Sequence, residues 1–371
     1  VRVSKLRWLP FRVPFRTPFF TAHGVYIFRE GLVLWLETDA GIVGLGEASP
    51  IAQATGSLGK ALTFLEQTAS AFVGKEVEAM EACLEGFQEG SALTAVRCAL
   101  DIAACDALAK AKGVNVAALL GSDVASSVPV NATIGASTAA EARDAAAAAR
   151  AAGFHCVKLK VGLAEGVDEE RERVAAVRDA LGPDIALRLD ANGAWTVGEA
   201  ISTIKTLEEY NLELVEQPVA PCDLGAMVGV RQAVDTPIAA DEDITSLDAA
   251  RRVLEAGAAD ALVLKPMMLG GLRLAYKIAQ LARSTGASVI VTTTIDAGIA
   301  TAAALHLAAV LPTGGPACGL ASGSLLAGDL IDRALNVKDG QMELPAGPGL
   351  GVELDQGELK QFGYVNIREA P

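Results

Sequence analysis

Hydrophobic and polar positions change rhythm along this 371-residue chain. Val25 to Glu37 is dense in β-branched, aromatic and aliphatic residues, and Thr38-Asp39-Ala40-Gly41 reads as a turn before a second short run, Ile42 to Gly46. Two such runs around a turn predict an antiparallel hairpin or meander. From Gly59 to about Gly113, Ala, Leu, Glu and Lys dominate without a proline, and Ala95 to Ala111 is the strongest helical stretch. Strands followed by helices indicate an α+β unit.

After about Ser127 a short β-branched run recurs ahead of an Ala- and charge-rich helical run. The strand candidates are Val128 to Ile134, Cys156 to Val161, Ala186 to Asp190, Leu212 to Glu216, Pro237 to Asp241, Ala261 to Lys265, Val289 to Thr294 and Ala317 to Leu320. Helical runs fill the intervals, among them Ala139 to Ala152, Glu169 to Leu181, Val197 to Tyr210, Leu247 to Ala256 and Leu272 to Gly286. Strands separated by helices in this way predict an α/β fold with a closed parallel barrel, an open doubly wound sheet being the alternative. From Ala297 to Gly328 there is no Asp, Glu, Lys or Arg, but Pro312, Gly314, Gly315 and Pro316 interrupt the stretch. It reads as a buried helix, a turn and a strand rather than a membrane span. Val337 to Val365 is Gly-, Pro- and polar-rich and is expected to return to the amino-terminal unit.

Composition narrows the class. With 51% apolar residues the chain can bury a large core, which excludes disordered and collagen-like readings. A net charge of −14 disfavours nucleic acid and anionic membranes as partners. The six cysteines, Cys83, Cys98, Cys105, Cys156, Cys222 and Cys318, form no C-x-x-C pair and are expected as mostly buried free thiols. The early Arg2, Lys5, Arg7 and Pro10 are not followed by a signal-peptide apolar stretch, so a cytoplasmic location is the expectation. Gly44-Leu45-Gly46-Glu47-Ala48-Ser49 lacks the third glycine of a dinucleotide fingerprint. His23, His155 and His306 offer no zinc spacing, and His306 in its Ala-Leu surroundings reads as a core residue.

Acids end three consecutive strand candidates, Asp190, Glu216 and Asp241, with separations of 26 and 25 residues. One strand-helix unit between each pair places all three at one rim, the face where parallel barrels build active sites. Three converging carboxylates repel one another unless a cation lies between them, and an all-oxygen site suits Mg²⁺, with Mn²⁺ as a substitute. Lys158 and Lys160 alternate on one strand and share its inward face. Lys265 ends another, 24 residues after Asp241. An unpaired ammonium is costly inside a barrel, and crowded cations with partial burial can lower a lysine toward neutrality, where it serves as a general base.

Lys158-Leu159-Lys160, Asp190-Ala191-Asn192, Glu216-Gln217-Pro218, Asp241-Glu242 and Lys265-Pro266, in that order, resemble the enolase superfamily, particularly its muconate-lactonizing branch. Gly44-Leu45-Gly46-Glu47-Ala48-Ser49-Pro50 is similar to that family's capping domain, so the resemblance covers nearly the whole chain. It implies a modified TIM barrel (β/α)7β at residues 126–329 under an α+β capping domain at 1–125, to which 330–371 returns. The chemistry established for that superfamily is a Lys or His base with Mg²⁺ stabilising an enediolate. Carried onto this chain, Asp190, Glu216 and Asp241 bind Mg²⁺, which holds a small anionic carboxylate substrate. Lys160 removes the α-proton, Lys265 faces the other side of the enediolate, and Lys158 supports Lys160 electrostatically. Arg188 and Asn192 flank Asp190 at alternate positions and are expected to bind substrate or support the ligands. Nothing in the chain speaks against a homo-oligomer.

Three family activities compete: dehydration to o-succinylbenzoate, a step of menaquinone biosynthesis; epimerisation of dipeptides or N-acyl amino acids; and cycloisomerisation of muconate. Dipeptide epimerases carry an acidic pair at the eighth strand, where this chain reads Ala317-Cys318-Gly319-Leu320-Ala321-Ser322-Gly323. That run, with Arg29-Glu30-Gly31-Leu32-Val33-Leu34 and Arg188-Leu189-Asp190-Ala191-Asn192-Gly193, is similar to o-succinylbenzoate synthases. Thr292 and Thr294 share a strand face and are candidates to bind a succinyl or ring oxygen. Phe19 to His23 and Ile51 to Gly56 are the expected mouth loops, with Phe19 and Phe20 closing against water. A metal-free Schiff-base aldolase would use a strand-end lysine but leaves the three acids without a task. A noncatalytic binding barrel leaves both lysines and acids unexplained.

Overall fold

A computed structural model describes residues 1–21, 24–51, 56–85, 93–162, 166–364 and 367–370. The antiparallel layer is β1 (Val3–Thr21), β2 (Gly24–Thr38) and β3 (Val43–Ala48). Thr38 closes the β2–β3 turn, its Oγ1 accepting the Ile42 N–H at 3.0 Å. β3 lies directly on the helix Leu93–Lys112. A Cβ at Gly44 would stand 2.0 Å from the Ala103 carbonyl oxygen, and one at Gly46 2.0 Å from that of Ala99. Glycine is therefore required here for close packing, and the dinucleotide near-match is a strand pressed onto a helix.

β4 (Ser127–Pro129) precedes the parallel strands β5 (Ala132–Ile134), β6 (Cys156–Lys160), β7 (Ala186–Asp190), β8 (Leu212–Glu216), β9 (Ile238–Ala240), β10 (Ala261–Leu264) and β11 (Ser288–Val291). The seven from β5 to β11 are hydrogen-bonded in chain order. Each is followed by a helix: Ala139–Ala151, Val167–Leu181, Val197–Leu207, Leu224–Ala233, Leu247–Glu255, Leu272–Ser284 and Gly298–Ala308. Thr138 and Thr196 start two of these helices through capping boxes with Glu141 and Glu199, which satisfy the free N–H groups of the first turn.

Two sequence expectations change in detail. Val128–Ile134 is not one strand. β4 pairs antiparallel with β13 (Gln341–Glu343), which pairs with β12 (Val337–Lys338), and only β5 enters the barrel. Pro129 has no N–H to continue a ladder, and the Val130 N–H turns to the Gly340 carbonyl at 2.8 Å. Ala317–Leu320 forms no strand. It closes the ring through single parallel bridges, Cys318 to Val130 and Gly319 to Thr292. At the other end of the chain, β14 (Arg368–Ala370) pairs antiparallel with β1.

The uncharged stretch resolves into the buried helix Gly298–Ala308 and the bridging segment, and among the described residues no helix is long and apolar enough to cross a membrane. Cys98, Cys105, Cys156 and Cys318 are buried free thiols, whereas Cys83 is half-buried and Cys222 exposed.

His306, fully buried on that helix, joins it to two distant segments. Nδ1 accepts the Ala117 N–H at 3.2 Å and Nε2 faces the Leu350 carbonyl at 3.0 Å, which requires the neutral ring. Burial pushes it down to about 4, against the pull of the Leu350 carbonyl. Below its ordinary value the unfolded chain takes up a proton that the folded one refuses. Its contribution is therefore complete above pH of about 6.5 and lost as the pH falls toward about 4, amounting to about 3 kcal/mol. Urea titrations at the two ends of that window should show the loss, and His306→Gln should flatten it.

Candidate active site

Leu214, Ala239, Ala261, Val263 and Ile290 form an apolar cluster separate from the main core. These residues line the inside of the barrel. On a strand the side chain two positions further on points the same way, one layer nearer the carboxyl-terminal rim. Leu214, Ala239, Val263 and Ile290 are thus followed by Glu216, Asp241, Lys265 and Thr292. On the other wall the register aligns Lys160 with Asp190 and Asp190 with Glu216. In the ring of eight positions, β6 and β10 lie opposite each other, with β7, β8 and β9 between them. Lys160 and Lys265 therefore rise from facing walls.

Asp190, Glu216 and Asp241 are all buried. Lys158 Nζ lies 2.9 Å from Asp190 Oδ2 and 2.9 Å from Glu216 Oε2. Lys160 Nζ lies 2.6 Å from Asp190 Oδ2 and 2.7 Å from Asn192 Oδ1. Lys265 Nζ donates to Asp241 Oδ2 at 2.5 Å. Burial alone would raise Asp190, but Lys158 and Lys160 outweigh it and hold the carboxyl well below the usual range. Burial pushes Glu216 up to about 7, with the Asp190 charge adding to it. Burial lowers Lys158 and Lys265, yet the carboxylates facing them win and raise both above the ordinary lysine value. The expectation that crowded cations lower a rim lysine is corrected for Lys158 and Lys265, since each faces an acid rather than another cation.

Among the described residues no three acidic, cysteine or histidine side chains form a ready cation cage, because each carboxylate is turned onto an ammonium group. The donor chemistry nonetheless suits a hard divalent ion. Three buried carboxylates offer oxygen alone, and to the burial that pushes Glu216 up the neighbouring Asp190 and Asp241 charges add a repulsion that such an ion relieves.

Asn192, together with rim residues that had no assigned task in the sequence reading, holds this arrangement. Gln217 Oε1 accepts the Asp241 N–H at 3.0 Å, and its Nε2 donates to Asp243 Oδ2 at 2.8 Å and to the Val219 carbonyl at 3.0 Å. Asn192 Nδ2 donates to Glu242 Oε1 at 2.8 Å, while Glu242 Oε2 is buried without a partner among the described residues. Asn192, Gln217 and Ile295 have φ of +45°, +39° and +61°, sterically costly values for residues with a Cβ. Strain of about 1–3 kcal/mol at each is offset by the hydrogen bonds of the rim. Gln217 and Glu242 adjoin the motif acids, so proximity in sequence was their signal.

The antiparallel layer reaches the same rim. Buried Arg29 donates to the Ile295 carbonyl at 3.1 Å, the Pro50 carbonyl at 2.8 Å and Thr294 Oγ1 at 3.1 Å, and also bonds the Ser49 carbonyl. Glu47 accepts the N–H groups of Ala297 and Ala300 at 2.8 and 2.9 Å, capping the helix Gly298–Ala308 from outside the barrel. Burial, with Asp296 adding to it, pushes Glu47 up to about 7. Both residues lie in segments that carried the family resemblance, but neither was given a task there.

Other expectations are redirected. Arg188 shares the inward face but lies one layer below Asp190, where Nε donates to Glu213 Oε2 at 2.5 Å and Nη1 to the Ala317 carbonyl at 2.6 Å. It braces the amino-terminal end of the barrel and is not brought to the rim as a substrate group. Glu213 draws it there, standing at the register shift between β7 and β8. Thr292 Oγ1 donates to the Gly319 carbonyl at 2.8 Å, closing the ring, and Thr294 Oγ1 donates to Asp296 Oδ1 at 2.5 Å. Both hydroxyl protons are thereby engaged within the protein. The mouth loops, Phe19–His23 and Ile51–Gly56, fall largely outside the described residues, including the side chains of Phe19 and Phe20.

Comparison with known proteins agrees with this fold. Residues 140–358 match the family described as enolase C-terminal domain-like, and residues 5–121 match the mandelate racemase / muconate lactonizing enzyme N-terminal domain. The chain is 30% identical over 362 residues to the chloromuconate cycloisomerase CbnB of Cupriavidus necator, covering 95% of this chain and 96% of that one. It is 43% identical over 215 residues to the o-succinylbenzoate synthase of Thermobifida fusca, covering 57% and 65%. The solved dipeptide epimerase of Enterococcus faecalis, complexed with Mg and L-Leu-L-Tyr, superposes with a TM-score of 0.88 at 29% identity, covering 95% and 99%. With both of its parts matched in order and the fold shared end to end, this chain belongs to the enolase superfamily.

Proposed function

We propose that this protein removes the α-proton of a carboxylate substrate and that its reaction is the dehydration yielding o-succinylbenzoate. The observation that carries the first half is the pair of lysines on facing walls, with three buried carboxylates between them along the rim. Support for the second half is the 43% identity to an o-succinylbenzoate synthase and the segment Cys318-Gly319, which closes the ring and offers no acid for a substrate ammonium.

Asp190, Glu216 and Asp241 would hold Mg²⁺. When bound, it would neutralise the negative charge that builds on the substrate carboxylate as the proton leaves. Lys160 Nζ, as the free amine, takes the α-proton of a cyclohexadiene carboxylate. The electron pair left on carbon forms the new ring double bond, and the C–O bond on the neighbouring carbon breaks, the oxygen leaving as water with a proton from a lysine ammonium. Lys265 faces the other side of the ring and supplies positive charge there. Lys158, locked between Asp190 and Glu216, keeps those carboxylates in place and adds charge beneath the substrate. Asn192 links Lys160 to Glu242.

A second reading is supported by the opposed lysines themselves. Two acid-base groups on opposite faces of one carbon suit proton removal from one side and return from the other, which racemises an N-succinylamino acid. The purified chain assayed with the cyclohexadiene precursor, N-succinylamino acids, dipeptides and muconate should form the aromatic product fastest, and a chelator should abolish turnover until Mg²⁺ is restored. Rapid racemisation without dehydration would overturn the dehydratase reading and favour the second. Turnover that survives the chelator would sink the metal role and point to Schiff-base chemistry.

A further inference from the structure

The pairing of β5 with β6 stops at Ile134 and Leu159, one residue short of Lys160. Beyond that point a side chain takes over from the strand. Arg173, on the helix Val167–Leu181, sends Nη2 back to the Lys160 carbonyl at 2.8 Å and the Ala136 carbonyl at 2.6 Å, tying together the two chain segments past their strand ends. Its Nη1 donates to Glu170 Oε1, and Glu170 Oε2 accepts the Gly162 N–H at 2.8 Å. On the other side the Val161 N–H donates to the Asp190 carbonyl at 2.9 Å. The backbone that carries Lys160 is thus gripped from both flanks. Arg173 is 1% exposed and Glu170 3%. A buried ion pair contributes little net stability compared with an apolar pair of similar volume. Its polar groups here reach the main chain of the Lys160 strand end and the Ala136 carbonyl.

We infer that Arg173 and Glu170 are positioning residues for Lys160, fixing the strand end so that its amine meets the substrate from one face. The inference rests on Lys160 being the base on that face. A lysine could not replace Arg173, because a single ammonium lacks the fork that spans two carbonyls and a carboxylate.

The test uses the full chain with Mg²⁺ and measures deuterium exchange from solvent into N-succinyl-L-arginine and N-succinyl-D-arginine, one presenting its α-proton to Lys160 and the other to Lys265. Lys160→Ala and Lys265→Ala assign the faces. The double variant Glu170→Leu/Arg173→Met keeps an apolar filling and so protects the fold, and Glu170→Gln and Arg173→Lys are the milder forms. Exchange on the Lys160 face should fall by about 10²-fold relative to the Lys265 face, through kcat more than KM, and Arg173→Lys should not restore it. An unchanged ratio, or an equal fall on both faces, overturns the inference. Should the wild-type chain exchange neither enantiomer, the racemase reading fails while the dehydratase reading keeps its own assay, and amide exchange decides the positioning role by itself. The Gly162 amide and the Val157–Gly162 segment should lose protection in the double variant while Ala186–Asp190 keeps it, and retained protection at Gly162 overturns the inference.

Discussion

Lys160→Ala is expected to abolish exchange of the substrate α-proton with solvent on one face, a loss of at least about 10³-fold. Three lysines stand at this rim, and exposure separates their tasks. The Lys160 side chain is 27% exposed and that of Lys158 only 11%. Lys158 is held by two carboxylates at once, so it cannot turn to a substrate without abandoning both. Lys160 shares only Asp190 Oδ2 and Asn192 Oδ1, and a rotation about its long side chain frees the amine toward the mouth. Exchange followed by mass spectrometry or proton NMR, with the far face as internal reference, reads the outcome. Exchange continuing at the wild-type rate would show that another group is the base.

The second large effect is expected at Glu216. It stands between Asp190 and Asp241 in strand order and is 1% exposed, so its charge belongs to both neighbours' surroundings. Glu216→Gln should remove the rise in melting temperature that Mg²⁺ gives the wild-type chain, together with turnover. For a site at a hundred times its dissociation constant, that stabilisation is about 2.7 kcal/mol. Thermal melts with and without Mg²⁺ measure it independently of any substrate. A variant whose melting temperature still rises by the wild-type amount would rule Glu216 out as a ligand and leave the fold assignment untouched.

Much of the barrel was legible because it rests on short-range rules. β7 and β8 have the expected limits, Ala186–Asp190 and Leu212–Glu216. Strand alternation, together with one strand-helix unit between acids, sufficed to bring Asp190, Glu216 and Asp241 to one rim. The eighth position failed as a strand because its contacts are single bridges to Val130 and Thr292, which no local pattern displays. Arg188 was misdirected for a related reason. Alternation told which face it occupies but not whether its long side chain turns toward the rim or away, and Glu213 at a register shift settled that.

What the sequence by itself determined is the order of elements and the inward face of each functional strand, since both follow from periodicity within a few residues and from turn and capping chemistry. Tertiary structure alone decided which groups face one another. Arg29 meets Thr294 across 265 residues and Glu47 takes the Ala297 N–H at the start of a helix across 250, while Lys158 joins Glu216 across 58. Those bonds depend on how the antiparallel layer docks on the barrel and how the ring closes. Their energies come from burial and from charges brought close together in a low-dielectric interior.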